Sequence, residues 1–202
     1  MDQFLRDKNL RNEISNYNQI IIEDQTLLLI LDMQEKLIGN IKSNQILIFN
    51  IKKLVDTCNL LNVRIAITEQ NTLKLGETID AILENKKYPK FEKMEFSCSK
   101  KPSFLNYLNE HNFKNIIICG IESHICILQT SLELLEKGYN ILIPRDAIGS
   151  RNEIDNDTAF IRLILSGAVA STTESVICEL CKTSDRKEFR EVSKILKNSF
   201  SN

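Results

Sequence analysis

Apolar runs of strand length alternate with stretches of helical period along nearly the whole chain, and this alternation limits the fold more than any other feature. The runs at Leu27–Asp32, Val63–Thr68, Phe91–Lys93, Asn115–Gly120, Asn140–Pro144 and Ala168–Thr172 predict strands. Most are apolar at consecutive positions rather than alternate ones, which suits strands of a parallel sheet covered by helices on both faces. Between them, the stretch 43–61 places Ile46, Leu47, Phe49, Ile51, Leu54, Val55 and Cys58 close to a 3.6-residue repeat and predicts a helix. Further helices are expected over 103–110, 123–137, 156–165, 173–181 and 185–197, with Gly138 and Gly167 placed as C-caps. The expected class is α/β with a Rossmann-like order of elements.

A chain of 202 residues suits one such domain over residues 25–202, preceded by a polar N-terminal arm over 1–24. Its 26 basic and 27 acidic side chains are spread rather than blocked, giving no electrostatic footprint for nucleic acid or an anionic membrane. The expected partner is a small-molecule substrate, without nucleic acid or membrane. No apolar run approaches the roughly 20 residues that span a bilayer, and the charged start MDQFLRDKNLRNE lacks a signal-peptide core, so a cytoplasmic location is expected.

The six glycines are too scattered for a dinucleotide or phosphate-binding loop, and no cofactor is expected. Six cysteines in a reducing setting read mainly as small buried hydrophobes. Cys178 and Cys181 have redox or zinc spacing, but they sit inside the helical stretch ESVICELCK and are expected to pack in the core.

Three residues stand at or just beyond predicted strand ends, where an open parallel sheet binds its ligands: Asp32, Lys93 and Cys126. Cys126, in GIESHICILQT, passes from a strand into a helix start, where unpaired N–H groups favour thiolate over thiol. On that reading Cys126 is alkylated at pH 7 ahead of the other cysteines. Taken singly, each residue also has a plain reading: Asp32 as a turn cap, Lys93 as a surface amine, Cys126 as core.

The segments LLLILDMQEKL, ITEQNTLKLGETI, FEKMEFS, IIICGIESHICILQT, IPRDAIGSRNEID and SGAVASTTESVICEL resemble the isochorismatase-like cysteine hydrolases, from Thr26 to about Lys197. The EQ…LG pattern and the GIESHIC form look most like the isochorismatase domain-containing proteins. The resemblance implies a three-layer α/β/α sandwich with a six-stranded, mostly parallel sheet. It implies an Asp32, Lys93 and Cys126 triad, a non-proline cis bond at Ile121–Glu122, and an oxyanion hole from the N–H groups of Glu122 and Cys126. The implied activity is hydrolysis of a small amide or related C–N bond through a thioester, commonly in a homo-oligomer.

Departures narrow this further. Nicotinamidases carry an Asp-x-His pair after the second strand, where this chain has Thr68-Glu69-Gln70-Asn71, so no metal is expected. The chain has no Trp for an aromatic floor, which argues against nicotinamide as substrate, and Cys126 argues against the enol-ether chemistry of true isochorismatases. Gln34 and Phe96 are candidate substrate contacts, Gln34 alternatively a loop anchor. Glu122 is expected to stabilise the helix start and His124 to be a satisfied packing histidine, and Asp146 and Arg151 to fasten the following loop or a subunit contact. The competing readings are a non-catalytic family member serving protein interaction and a thiol-redox protein using Cys178 and Cys181.

Overall fold

The computed structural model describes residues 21–200, so most of the expected arm lies outside the described residues. Seven parallel strands form one sheet: β1 (Thr26–Leu31), β2 (Arg64–Gln70), β3 (Lys90–Lys93), β4 (Asn115–Ile121), β5 (Asn140–Pro144), β6 (Ile148–Gly149) and β7 (Val169–Ser171). Their order is β3-β2-β1-β4-β5-β7, with the two-residue β6 continuing alongside the end of β4. The sequence predicts six of these strands and misses β6, which is too short to carry a pattern.

Helices cover both faces. They are α1 (Glu35–Ile38), α2 (Asn44–Leu61), α3 (Thr72–Leu75), α4 (Asp80–Leu83), α5 (Pro102–Glu110), α6 (Leu128–Glu136), α7 (Glu153–Leu165), α8 (Thr173–Cys181) and α9 (Phe189–Lys197). The strand period of two divides the core. Leu28, Ile30, Ile65, Ile67, Ile117 and Leu142 face α2 and α8, while Leu27, Leu29, Leu31, Ile116, Ile118 and Ile141 face α5, α6 and α7. Every residue of β1 is buried, as a strand covered on both faces requires.

Gly138 (φ 86°) and Gly167 (φ 104°) end α6 and α7, and the amides of Tyr139 and Ala168 reach back to the Leu134 and Leu163 carbonyls. α8 corrects one expectation. Its buried face carries Val176, Ile177, Leu180 and Cys181, which leaves Cys178 turned outward and exposed. The other five cysteines are buried.

The chain runs from β1 to β3 in one direction across the sheet and from β4 onward in the other, so the switch point lies between β1 and β4. At their carboxyl ends Leu31 pairs with Gly120, whose φ of 116° is in the left-handed half of backbone space. A Cβ on Gly120 would lie 2.1 Å from the Leu31 carbonyl oxygen. Only glycine lets the two strands close here.

Candidate active site

Asp32 leaves β1 in a left-handed conformation (φ 51°), with its N–H donating to the Thr68 carbonyl at 3.1 Å. Asp is among the few non-glycine residues that adopt this conformation readily. The turn ends the strand and leaves the Asp32 side chain fully buried at the switch point.

Lys93 closes β3, and its ammonium joins the site. Nζ lies 2.6 Å from Asp32 Oδ2, 2.8 Å from Gln70 Oε1 and 3.6 Å from Cys126 Sγ. The other Asp32 oxygen accepts from Thr68 Oγ1 at 2.7 Å. Lys93 is among the largest fully buried side chains, a placement a lysine reaches only when its charge is paired. The sheet thus brings Asp32, Lys93 and Cys126 together from three strand ends.

Cys126 is not at the first turn of an ordinary α-helix. It lies in a π-helical turn, Ser123–Ile127, that precedes α6, with the amides of Ile125 and Ile127 both donating to the Glu122 carbonyl. The Ile121–Glu122 peptide just before it is cis. Cys126 is 7% exposed. Burial is the main reason its thiol titrates well above the ordinary range; the Asp32 carboxylate adds to the rise and the Lys93 ammonium opposes it. That direction is opposite to the one expected of a resting thiolate. The ammonium is already neutralised by Asp32, so the sulfur meets a nearly neutral pair and the full cost of desolvation.

The sequence reading missed Gln70. Thr68 and Gln70 sit on the same face of β2, and each holds one member of the Asp32 and Lys93 pair; Gln70 also donates to the Met94 carbonyl at 2.6 Å. The signal was available in the period of two, since β2 pairs Gln70 with Lys93 and Thr68 with Leu31, the residue before Asp32.

Gln34, a candidate substrate contact, is fully buried with its amide engaged by backbone. Nε2 donates to the carbonyls of Gln70 (3.0 Å) and Gly76 (2.6 Å), and Oε1 accepts from the Gln70 amide at 2.7 Å. It anchors the loop. Buried Glu69 does the same, accepting from Thr78 N and Oγ1 at 2.8 and 2.7 Å. Phe96 stands three residues beyond Lys93 and is 52% exposed, with the exposed Met94 nearby in the chain.

Glu122 accepts from Arg151 N and Nε at 3.1 and 2.9 Å, and His124 Nδ1 lies 3.0 Å from Ser150 Oγ. Asp146 Oδ1 accepts from Thr173 N at 2.7 Å at the start of α8. A cleft of about 360 Å³ opens beside this loop, lined by Ser43, Arg145, Ser150 and Arg151 among others, and none of Asp32, Lys93 and Cys126 lines it. Among the described residues, no group of three His, Cys, Asp or Glu side chains converges as a metal-holding cluster.

The isochorismatase domain model matches residues 26–175, a span that contains Asp32, Lys93 and Cys126. The chain belongs to the isochorismatase family. This isochorismatase-family chain is 36% identical over 184 residues to "Isochorismatase family protein 1B" of Dictyostelium discoideum, covering 88% of each. It is 31% identical to "Isochorismatase domain-containing protein 2" of Xenopus laevis, covering 86% of this chain and 84% of that one. Among solved structures, "Structure of MAR1 Ribonuclease from Caenorhabditis elegans" superposes with a TM-score of 0.85 at 33% identity, covering 91% of this chain and 95% of that chain.

This isochorismatase-family member is accordingly a hydrolase of its superfamily. The expectation that nucleic acid is excluded as a partner does not stand, because the Caenorhabditis elegans relative is described as a ribonuclease. Net charge averages over a whole surface and says little about one local site. No helix among the described residues is long and apolar enough to cross a membrane.

Proposed function

We propose that the protein is a metal-independent cysteine hydrolase that cleaves a small amide or related C–N bond through a thioester on Cys126. The observation that carries this reading is the position of Lys93 Nζ, 2.6 Å from Asp32 Oδ2 and 3.6 Å from Cys126 Sγ.

In the resting site the thiol keeps its proton beside a carboxylate and ammonium pair. As Sγ attacks the carbonyl carbon, its proton passes to Asp32, a transfer that leaves the net charge of the buried site unchanged. An ammonium 3.6 Å from the sulfur stabilises the charge developing there. At an effective dielectric of 20 that attraction is about 4 to 5 kcal/mol, against desolvation of similar order. The N–H groups of Glu122 and Cys126 act as the oxyanion hole for the tetrahedral intermediate. Its collapse breaks the C–N bond, Asp32 returns the proton to the leaving nitrogen, and water activated by Asp32 then cleaves the thioester. Phe96 forms part of the pocket wall.

The test is ammonia or amine release from a panel of small amides, ureas and carbamates, with Cys126→Ala as control and EDTA dialysis as a second arm. Turnover that survives Cys126→Ala, or that EDTA abolishes and zinc restores, would overturn the mechanism. A second reading, RNA as substrate, is favoured by the likeness to the Caenorhabditis elegans protein. Incubation with a mixed RNA pool separates the two. RNA cleavage lost in Cys126→Ala, with no amide turned over, supports the second.

A further inference from the structure

The C-terminal segment breaks the even spread of charge along the chain. Residues 182–197 carry six Lys or Arg against three Asp or Glu, in a chain of net charge −1. The fold sorts these charges onto one side of α9. Val192 is fully buried, and the partly buried Phe189, Ile195 and Leu196 pack with it into the core that α2 covers. At roughly 100° of turn per residue, Arg190, Lys194 and Lys197 fall on the face opposite Val192, and all three are exposed. They are four and three residues apart, so one charge follows another about every 5 Å along the helix. The exposed Lys187 precedes them in the turn before α9. A groove of about 530 Å³ opens on this face, lined by these four cations and Arg186, with no acidic residue among its walls.

We propose that this row of cations binds the phosphate backbone of a single-stranded RNA. The charges are available for it. Arg190 and Lys197 make no ion pair among the described residues. Lys194 and Lys187 pair only with their near neighbours Glu191 and Glu188, through side chains that are themselves 60 and 90% exposed, and such contacts exchange readily for a phosphate. Arg186 is different: Glu23 and Glu188 hold it at 2.7 and 2.9 Å, and it serves the fold. A single file of evenly spaced cations suits one strand of phosphates, whereas a duplex presents two strands on either side of a groove. Ser184 and Ser193 add hydroxyls to the same walls, able to pair with the ribose 2′-OH that DNA lacks. A membrane surface fits less well, because a helix lying in the lipid interface needs large apolar side chains beside its cations, and none of the exposed large apolar residues lies in 184–197. The row also lies beyond residue 175, where the match to the isochorismatase domain ends, so it belongs to this chain's own C-terminal segment.

The test is fluorescence anisotropy of a labelled, mixed-sequence single-stranded RNA with the full chain carrying Cys126→Ala, which makes the result independent of the mechanism proposed for that thiol. Micromolar binding is expected at low salt, with log K falling against log salt at a slope of about −3, the value for four neutralised phosphates on a single strand. Arg190→Gln, Lys194→Gln and Lys197→Gln together are expected to weaken binding about tenfold or more and to bring the slope towards about −1, with unchanged circular dichroism. The charge-keeping set Arg190→Lys, Lys194→Arg and Lys197→Arg retains binding. Removing three charges elsewhere, by Lys36→Gln, Lys114→Gln and Lys137→Gln at exposed positions, costs much less, because only cations at the contact release counterions. Absence of RNA binding, an equal loss in the set at Lys36, Lys114 and Lys137, equal or tighter binding of single-stranded DNA of the same sequence, or binding of phosphatidylserine vesicles without RNA binding would each overturn the proposal.

Discussion

Thr68 and Gln70 stand two residues apart on β2, and between them they hold both members of the buried ion pair: Thr68 Oγ1 donates to Asp32 and Gln70 Oε1 accepts from Lys93. A strand side chain every second residue gives one rigid element control over the carboxylate and the ammonium together. Of Asp32, Lys93 and Cys126, only the cysteine follows a strand on the other side of the switch point.

Gln70→Ala is therefore expected to lower kcat by about 10- to 100-fold with a smaller effect on KM, because the ammonium is left with fewer fixed partners. Thr68→Val, which keeps the shape and removes the donor, should act in the same direction on Asp32. Steady-state kinetics on any substrate found, with melting curves to confirm folding, check both. Equal losses in kcat and stability alone would point to a merely structural role.

Within the triad, Cys126→Ala is expected to abolish turnover, and Asp32→Asn and Lys93→Ala to cost roughly 10³-fold each. Combining them with Cys126→Ala should cost nothing further, since the base and the cation act through the sulfur. Additive losses measured in the double variants would separate their roles.

The thiol itself should respond in opposite senses to the two charged neighbours. Asp32→Asn removes a charge that raises the Cys126 pKa and leaves the ammonium unpaired beside the sulfur, so the thiol pKa falls even as turnover falls. Lys93→Ala should raise it. Thiolate absorbance near the ultraviolet edge, or alkylation rate against pH, reads both shifts. In the wild type at pH 7, limiting iodoacetamide is expected to label Cys178, the exposed cysteine among the described residues, before Cys126. Mass mapping with Cys126 labelled first would mean that the resting site holds a thiolate after all.

Alkaline stability carries its own sign. Burial pushes the Cys98 thiol up to about 12 from an ordinary 9.0, so the folded chain holds this proton more tightly than the unfolded one. Its contribution is fully present below pH 9.0 and is lost as pH rises towards about 12. Near pH 10.5 the loss from this one group approaches about 2 kcal/mol. Urea midpoints at pH 8 and 10.5 should differ less in Cys98→Ala than in the wild type, whatever the mutation costs at pH 8.

Long, fully buried strands were legible because their apolar runs have no other use: β1, β4 and β5 lie within one residue of where their sequence puts them. The meeting of Asp32, Lys93 and Cys126 could be expected because each stands at or beyond the end of a predicted strand, although the strand that ends at Lys93 is short and mostly not buried. What escaped depends on contacts between segments far apart in the chain. β6 exists only through its pairing with Gly120 and Ile121, and the short helix α3 leads into a loop held by Gln34 at Gly76 and by Glu69 at Thr78. The π turn at Cys126 has no period of its own. Gln70 was read only as part of Thr68-Glu69-Gln70-Asn71, a segment without the Asp-x-His pair. Cys178 and Cys181 share a helix and a spacing, yet a rotation of that helix against the sheet decides that one is core and the other faces solvent.

The distance from acid to sulfur depends on an atom that Gly120 does not have. Asp32 follows Leu31, Cys126 lies six residues after Gly120, and the two strands meet where a Cβ would sit 2.1 Å from a carbonyl oxygen. Even an alanine there would act as a wedge, prising β1 from β4 at the end that carries the chemistry. It would leave all three triad side chains chemically intact and too far apart to pass a proton. Loss of activity in this protein can thus arise from the addition of a single methyl group at a position with no functional group at all.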